Sequence, residues 1–326
     1  MTDARTNLPY METLNPEQRD AVEHSAGPLL ILAGAGSGKT RVITTKIAYL
    51  IAEKKIPPES ILAVTFTKKA ANEMRSRAIA LDDRASFAEI RTFHSFGAWF
   101  LRRYAAEANL APSFTVYDDD DAATLVMKAV PSLRRQQAEL AAHKISLAKD
   151  YCLTPDDDLS AVDSTGDLSA IYRAYEQRLS ETGNADFGDL IMKPVQVMEE
   201  NLAVRERMRF RFRVIMVDEY QDSNVAQFKL LQTLSGTAEG SGTYVCVVGD
   251  DDQSIYRFRG AEVQNILTFR KKFPGTKIIK LVRNYRSTGK ILAAADAVVK
   301  NNEDRIGKTL KAERGTGKAP VLVYLP

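Results

Sequence analysis

Two short segments of this chain hold the residue types that phosphate chemistry needs. In Ala33-Gly34-Ala35-Gly36-Ser37-Gly38-Lys39-Thr40, small residues run into a lysine and a hydroxyl. The octet fits the phosphate-binding loop G-x-x-x-x-G-K-[ST], except that Ala33 holds the first glycine position. Backbone N–H groups from Ala35 to Gly38 can wrap phosphate oxygens, and the N-terminus of a following helix adds positive potential. Lys39 is placed to reach the β- and γ-phosphates of a nucleotide, and the Thr40 hydroxyl to ligate magnesium. The second segment, Val214-Ile215-Met216-Val217-Asp218-Glu219, ends an apolar run in two carboxylates. Asp218 is expected to hold the metal shell, with Glu219 polarising the attacking water. No Asn-Lys-x-Asp guanine reader occurs, so ATP and Mg2+ are the expected ligands.

These side chains need a scaffold that brings two strand ends together. Leu29 to Leu32 and Ile61 to Val64 are apolar runs, each followed by a helical pattern, the second over Lys68 to Ala80. Further apolar runs return at Val214 to Val217, Tyr244 to Val248 and Ile278 to Leu281. Strands alternating with helices predict a parallel sheet covered on both faces. Between Ser95 and Arg211 strand-like runs nearly vanish and Ala, Leu, Arg and Glu recur at helical spacing. The expected fold is therefore α/β, interrupted by an all-helical insertion, which is larger than a small-molecule kinase usually carries. Asp118 to Asp121 read as the acidic first turn of the helix that Ala122 to Val130 continues, where carboxylates favour the dipole. Asp156 to Asp158 read the same way. Gly315-Thr316-Gly317-Lys318 lacks a leading strand and a following helix, so it reads as a turn.

At 326 residues the chain has room for about two domains. Its 45 basic and 42 acidic side chains leave a net charge of +3, so any basic surface must be local. Cys152 and Cys246 match no metal-ligand spacing and read as reduced, mostly buried thiols. The N-terminus is polar, and no apolar run reaches the roughly 20 residues of a membrane span. A soluble cytoplasmic protein without membrane contact is expected.

Around the two phosphate motifs the sequence resembles superfamily 1 helicases of the UvrD/Rep/PcrA group, in motif order and over nearly the whole chain. Leu14-Asn15-Pro16-Glu17-Gln18 resembles the family's adenine-reading segment, which implies Gln18 on the base; alone, it reads as a helix start capped by Asn15. Val64-Thr65-Phe66-Thr67-Lys68-Lys69-Ala70-Ala71 and Thr92-Phe93-His94-Ser95 resemble two motifs that line the single-strand track, implying DNA contacts from Phe66, Thr92 and His94. Hydroxyl, cation and aromatic ring suit that work, although core packing is the other reading of Phe66 and Phe93. Val248 to Ala261 resembles the motif linking the γ-phosphate to DNA, implying Gln253 as phosphate sensor and Tyr256, Phe258 and Arg259 on the strand. Phe258 stands where many members have Trp and Arg257 where many have a small residue, which predicts a weaker grip in the same role.

Leu281 to Thr288 resembles a further motif, implying Tyr285 stacked on adenine and Arg286 at the γ-phosphate. Arg41 is implied near the base, with a surface salt bridge as its alternative. Asp186-Phe187-Gly188-Asp189-Leu190 matches another family segment of undefined role, and Asn284 to Asn302 reads most like the Rep branch. The resemblance implies RecA-like fold organisation: domain 1A at 1–88 and 212–280, helical insertion 1B at 89–211, and the opening of a truncated second RecA-like domain 2A at 281–326. It also implies a 3′→5′ translocase on single-stranded DNA and single/double-strand junctions, with replication or repair proteins as further partners. The portion present is expected to bind nucleotide weakly, hydrolyse it poorly and not unwind alone. Two alternatives stay open: a nucleotide- and single-strand-binding module without translocation, and the helicase part of a RecB/AddA-like helicase–nuclease.

Overall fold

The first apolar run, Leu29-Leu30-Ile31-Leu32-Ala33, is buried along its whole length, as a central parallel strand must be. In the computed structural model residues 8–164, 166–236, 242–254, 263–302, 305–321 and 323 are described. The chain opens with α1 (Pro9–Glu12), α2 (Pro16–Glu23), β1 (Leu29–Ala33), α3 (Lys39–Ala52), β2 (Ile61–Thr65), α4 (Lys68–Leu81), β3 (Glu89–Thr92) and α5 (Phe93–Arg103). The helix-rich stretch follows, with β4 (Val116–Tyr117), α6 (Asp119–Ala129), α7 (Arg135–Asp150), α8 (Leu168–Thr182), β5 (Ala185–Asp186), α9 (Asp189–Glu200) and α10 (Leu202–Arg211). Then come β6 (Val214–Val217), α11 (Val225–Ser235), β7 (Tyr244–Gly249), α12 (Val263–Lys272), β8 (Lys277–Leu281), β9 (Arg283–Asn284), α13 (Gly289–Val299) and β10 (Lys311–Ala312).

Six strands form one sheet in the order β3-β2-β6-β7-β1-β8, and every pairing in it is parallel. The α/β expectation is met. Successive side chains of a strand face opposite ways, so β1 feeds two cores. Leu30 and Leu32 pack with residues of α5, α9, α10, α11 and α12, while Leu29, Ile31 and Ala33 pack with α2, α3 and α4. A third cluster lies apart, within α6, α7 and α8. The helical stretch is thus divided: α5, α9 and α10 cover the sheet, and α6 to α8 pack on one another. Gly97 permits the α5–α9 crossing, since a Cβ there would lie 1.6 Å from the Leu190 carbonyl oxygen.

Two expectations need correcting. Residues 89–92, expected in the helical insertion, form the sheet's edge strand, paired with β2. Asp156 to Asp158 do not open a helix, because the next one begins at Leu168. The Asp157 and Asp158 carboxylates instead take the N–H groups of Thr154 and Ser160, closing local turns, and Asp156 pairs with Arg173. Asp118 does cap α6, accepting from Asp120 N and Asp121 N. Gly315 and Gly317 take positive φ in a turn lying against the start of α13. Cys246 is buried, Cys152 half-buried, and both are free thiols. Among the described residues no helix is long and apolar enough to cross a membrane.

Candidate nucleotide site and nucleic-acid track

All six parallel strands end on the same edge of the sheet, the place where open α/β sheets bind ligands. There β1 runs into the phosphate loop. Gly36 and Gly38 take φ of 72° and 91°, which glycine adopts at little cost. The loop closes on itself, with the N–H and Oγ of Ser37 both donating to the Gly34 carbonyl, at 3.2 and 2.7 Å. No side chain caps α3 behind Gly38, so its first N–H groups face the loop and favour an anion there. Ala35 and Thr40 are half-buried at the two ends of this cradle.

Across β7, strand β6 brings the carboxylates. Lys39 Nζ donates to Glu219 Oε2 at 2.7 Å, and the lysine and glutamate side chains are 12% and 37% exposed. Glu219 is held in the left-handed region, with φ of 51°, a strain that clusters at working sites. Asp218 beside it is buried, and burial first, then the Glu219 charge, push its carboxyl up to about 7. The Asp218 carboxylate and the Thr40 hydroxyl are hard oxygen donors, the set that magnesium accepts.

Gln221, which the sequence left unremarked, joins this pair to the next strand end. Its amide donates to Glu219 Oε2 at 2.9 Å, and its carbonyl oxygen accepts the Asp250 N–H at 2.9 Å. Gln253 lies three residues on and donates its amide to Asp250 Oδ2. Gly249 permits this contact, as a Cβ there would stand 2.9 Å from Gln221 Oε1.

The segment after β8 docks on the phosphate loop through its backbone. Tyr285 N–H donates to the Gly36 carbonyl at 2.9 Å. Asn284 donates to the Ala35 carbonyl and takes the N–H groups of Arg286 and Ser287. Asn284 is a second residue that sequence reasoning passed over, although its place inside a quoted motif was the available signal. Gly36 is needed here for space as well, because a Cβ would meet Arg286 Cβ at 2.5 Å. Tyr285 is 45% exposed, and its hydroxyl accepts from Asn15 Nδ2. Arg286 and Arg41 are both exposed.

Gln18 is brought to the loop, with both ends of its amide engaged. Nε2 donates to the Ser37 carbonyl at 2.9 Å, and Oε1 accepts the Asn15 N–H in a capping box. A Cβ at Gly38 would lie 2.7 Å from that Nε2. The Lys46 ammonium, buried in α3, donates to the carbonyls of Ala21 and Val22 in the last turn of α2 and of His24 just after it. The helix that carries Gln18 is thereby tied to the helix that starts at Lys39.

At the ends of β2 and β3 the track residues part ways. Phe66 is half-buried, edge-on to Phe93 at 6.1 Å. Thr92 is buried, its hydroxyl capping α5 and meeting Ser95 Oγ. His94 stacks on Phe187 at 3.8 Å and 18°, and burial lowers its pKa to about 4, so the ring is neutral. Phe187 itself is 53% exposed. The turn that projects it is fixed from below, where the buried Lys149 ammonium meets Asp186 at 2.6 Å and Asp189 at 2.8 Å. Tyr256, Phe258 and Arg259 lie outside the described residues. Among the described residues two acidic clusters could take a metal by geometry, Glu176/Asp186/Asp189 and Asp250/Asp251/Asp252. Each already holds a lysine, Lys149 in the first and Lys308 in the second.

The UvrD/REP helicase N-terminal domain family matches residues 14–274. The chain is 41% identical, over 97% of its length and 44% of the relative's, to the ATP-dependent DNA helicase UvrD1 of Mycobacterium tuberculosis. It is 43% identical to a probable DNA helicase II homolog of Rickettsia conorii, over 96% of the chain and 48% of that protein. The ATP-dependent DNA helicase PcrA of Staphylococcus aureus matches at 41%, over 94% of the chain and 42% of the relative. The chain therefore spans just under half the length of these relatives.

Proposed function

The chain belongs to the UvrD/REP helicase family, and from that premise we propose that it is the N-terminal motor portion of an ATP-dependent DNA helicase moving 3′→5′ on single-stranded DNA. One observation carries this reading: Lys39 and Glu219, from the phosphate loop and from the end of β6, meet at 2.7 Å in one pocket. The triphosphate of ATP would lie along Ala35 to Gly38. Thr40 and Asp218 would hold Mg2+, which neutralises β- and γ-oxygens when bound. Phosphate oxygens compete with Glu219 for the Lys39 ammonium. A bound triphosphate would take that ammonium and leave Glu219 free to accept a proton from water. Gln253 and Arg286 are assigned to the γ-phosphate, and Gln18, Arg41 and the open ring of Tyr285 to the base side.

We assign residues 1–88 and 212–280 to the first RecA-like domain, with Glu89–Thr92 added to its sheet. The rest of 89–211 is the helical insertion, and 281–326 opens the second RecA-like domain. Phe66, His94 and the protruding Phe187 line the single strand, where flat rings stack bases of any sequence; Thr92 supports them as a cap. Tyr256, Phe258 and Arg259 keep their place on the track by resemblance. The Tyr285 and Arg286 side chains are exposed, with nothing among the described residues closing over them. Fast turnover needs charge stabilisation from a second wall, so this chain alone binds nucleotide weakly, turns it over slowly and does not unwind duplex.

Fluorescence anisotropy with a labelled oligo-dT tests the track. Affinity is expected to fall as salt rises, and Phe187→Ala to weaken it roughly tenfold, the effect of about one base stack. An affinity indifferent to Phe187→Ala removes that residue from the track, and no binding at all removes the track.

A further inference from the structure

After α13 the chain returns to the edge of the sheet where the phosphate loop lies, and residues 305–312 form a strap across it. β10 pairs with β9, Lys311 opposite Arg283. The Leu310 side chain packs on the loop itself: a Cβ at Gly34 would lie 2.6 Å from Leu310 Cδ2. Between these anchors Lys308 turns inward, its side chain only 2% exposed. Its ammonium reaches Asp250 Oδ1 at 2.5 Å, Asp251 Oδ1 at 2.6 Å and Asp252 Oδ2 at 2.9 Å. Arg305 adds a second cation at Asp252, 2.9 Å away, and Asp251 Oδ2 takes the N–H groups of Ile306 and Gly307. Burial alone would lower the Lys308 pKa, but the three carboxylates outweigh it and raise it, so the group stays charged.

The geometry on Asp250 gives this cluster a consequence for the site. One of its carboxylate oxygens holds Lys308, and the other receives the Gln253 amide. Its N–H is fixed by Gln221, whose own amide rests on Glu219. We propose that Lys308 is a positioning residue for Gln253: by holding Asp250, the strap fixes the group assigned to sense the γ-phosphate. This rests on reading the Lys39–Glu219 pocket as the ATP site. Without Lys308 three carboxylates face one another and Arg305 alone, and Asp250 turns, taking Gln253 with it.

The test measures dissociation constants for the β,γ-imido analogue of ATP and for ADP, each with Mg2+. The proteins are wild type, Lys308→Met, Gln253→Ala and the double variant. Lys308→Met is expected to cut the preference for triphosphate over diphosphate roughly five- to tenfold, about the net worth of one hydrogen bond. ADP affinity is expected to hold. In the Gln253→Ala background Lys308→Met should add nothing. A merely structural role would weaken both ligands together and leave the ratio alone, and that result overturns the proposal. So does an equal loss of ratio in the Gln253→Ala background. Should Lys308→Met unfold, Lys308→Met with Asp251→Asn removes one orphaned charge and is read the same way. Lys39→Ala separates the two layers: if it leaves both affinities intact, the ATP-site reading fails and this inference with it. If it abolishes binding while Lys308→Met keeps the ratio, only this inference fails.

Discussion

Single side chains in this protein act through partners far away in sequence, and that decides which of them could be read from sequence. Lys39, Thr40, Asp218 and Glu219 sit in short patterns whose residue types announce phosphate chemistry, so their convergence was expected. Gln221 carries no such pattern, and the motif around Asn284 points to its neighbours, because the importance of both lies in contacts with Asp250 and Ala35 that only the fold creates. Gln18 was expected at the base, yet its amide also pins the loop through the Ser37 carbonyl. His94 shows the same dependence in its ionisation. Burial lowers its pKa from 6.5 to about 4, so the folded state refuses a proton that the unfolded chain accepts. The stability tied to this group is complete above about 6.5 and drains as pH falls toward about 4. His94→Gln should flatten that part of the plot of thermal midpoint against pH. An unchanged slope would mean that the ring titrates as if in water.

Among the elements, the long apolar strands were legible because burial on both faces leaves no polar positions. β3 was not, since Glu89-Ile90-Arg91-Thr92 alternates half-buried and buried residues at the sheet's edge. The acidic run at Asp118 marked a helix start correctly, but Asp156 to Asp158 share its composition without the apolar periodicity behind it. Composition names a cap only when a helix follows. The turn from β5 to α9 rests on the buried Lys149, held by Asp186, Asp189 and Glu176. Removing the cation leaves the buried Asp186 and Asp189 carboxylates without a counter-charge. Lys149→Met is therefore expected to destabilise the chain by about 3–5 kcal/mol in urea unfolding. It should also loosen Phe187 and weaken DNA binding. A loss within about 0.5 kcal/mol, the range of ordinary surface changes, would show that this cluster is solvated.

At the scale of the whole molecule, one sheet edge gathers the phosphate loop, the paired carboxylates, the Asp250 loop and the strap. In α13, eight of eleven residues are apolar and none is buried. An apolar helix face left in water is a surface suited to being covered, in keeping with the proposal that 281–326 opens a second domain. Everything in the proposed motor depends on the Lys39–Glu219 pocket closing on a triphosphate. Single-turnover ATP hydrolysis, with protein in excess over nucleotide and single-stranded DNA present, tests this most directly when wild type is set against Lys39→Ala. The account predicts a slow wild-type rate that falls roughly 10²-fold or more in the variant, the effect of removing one aimed donor. Equal rates in the two proteins would contradict it.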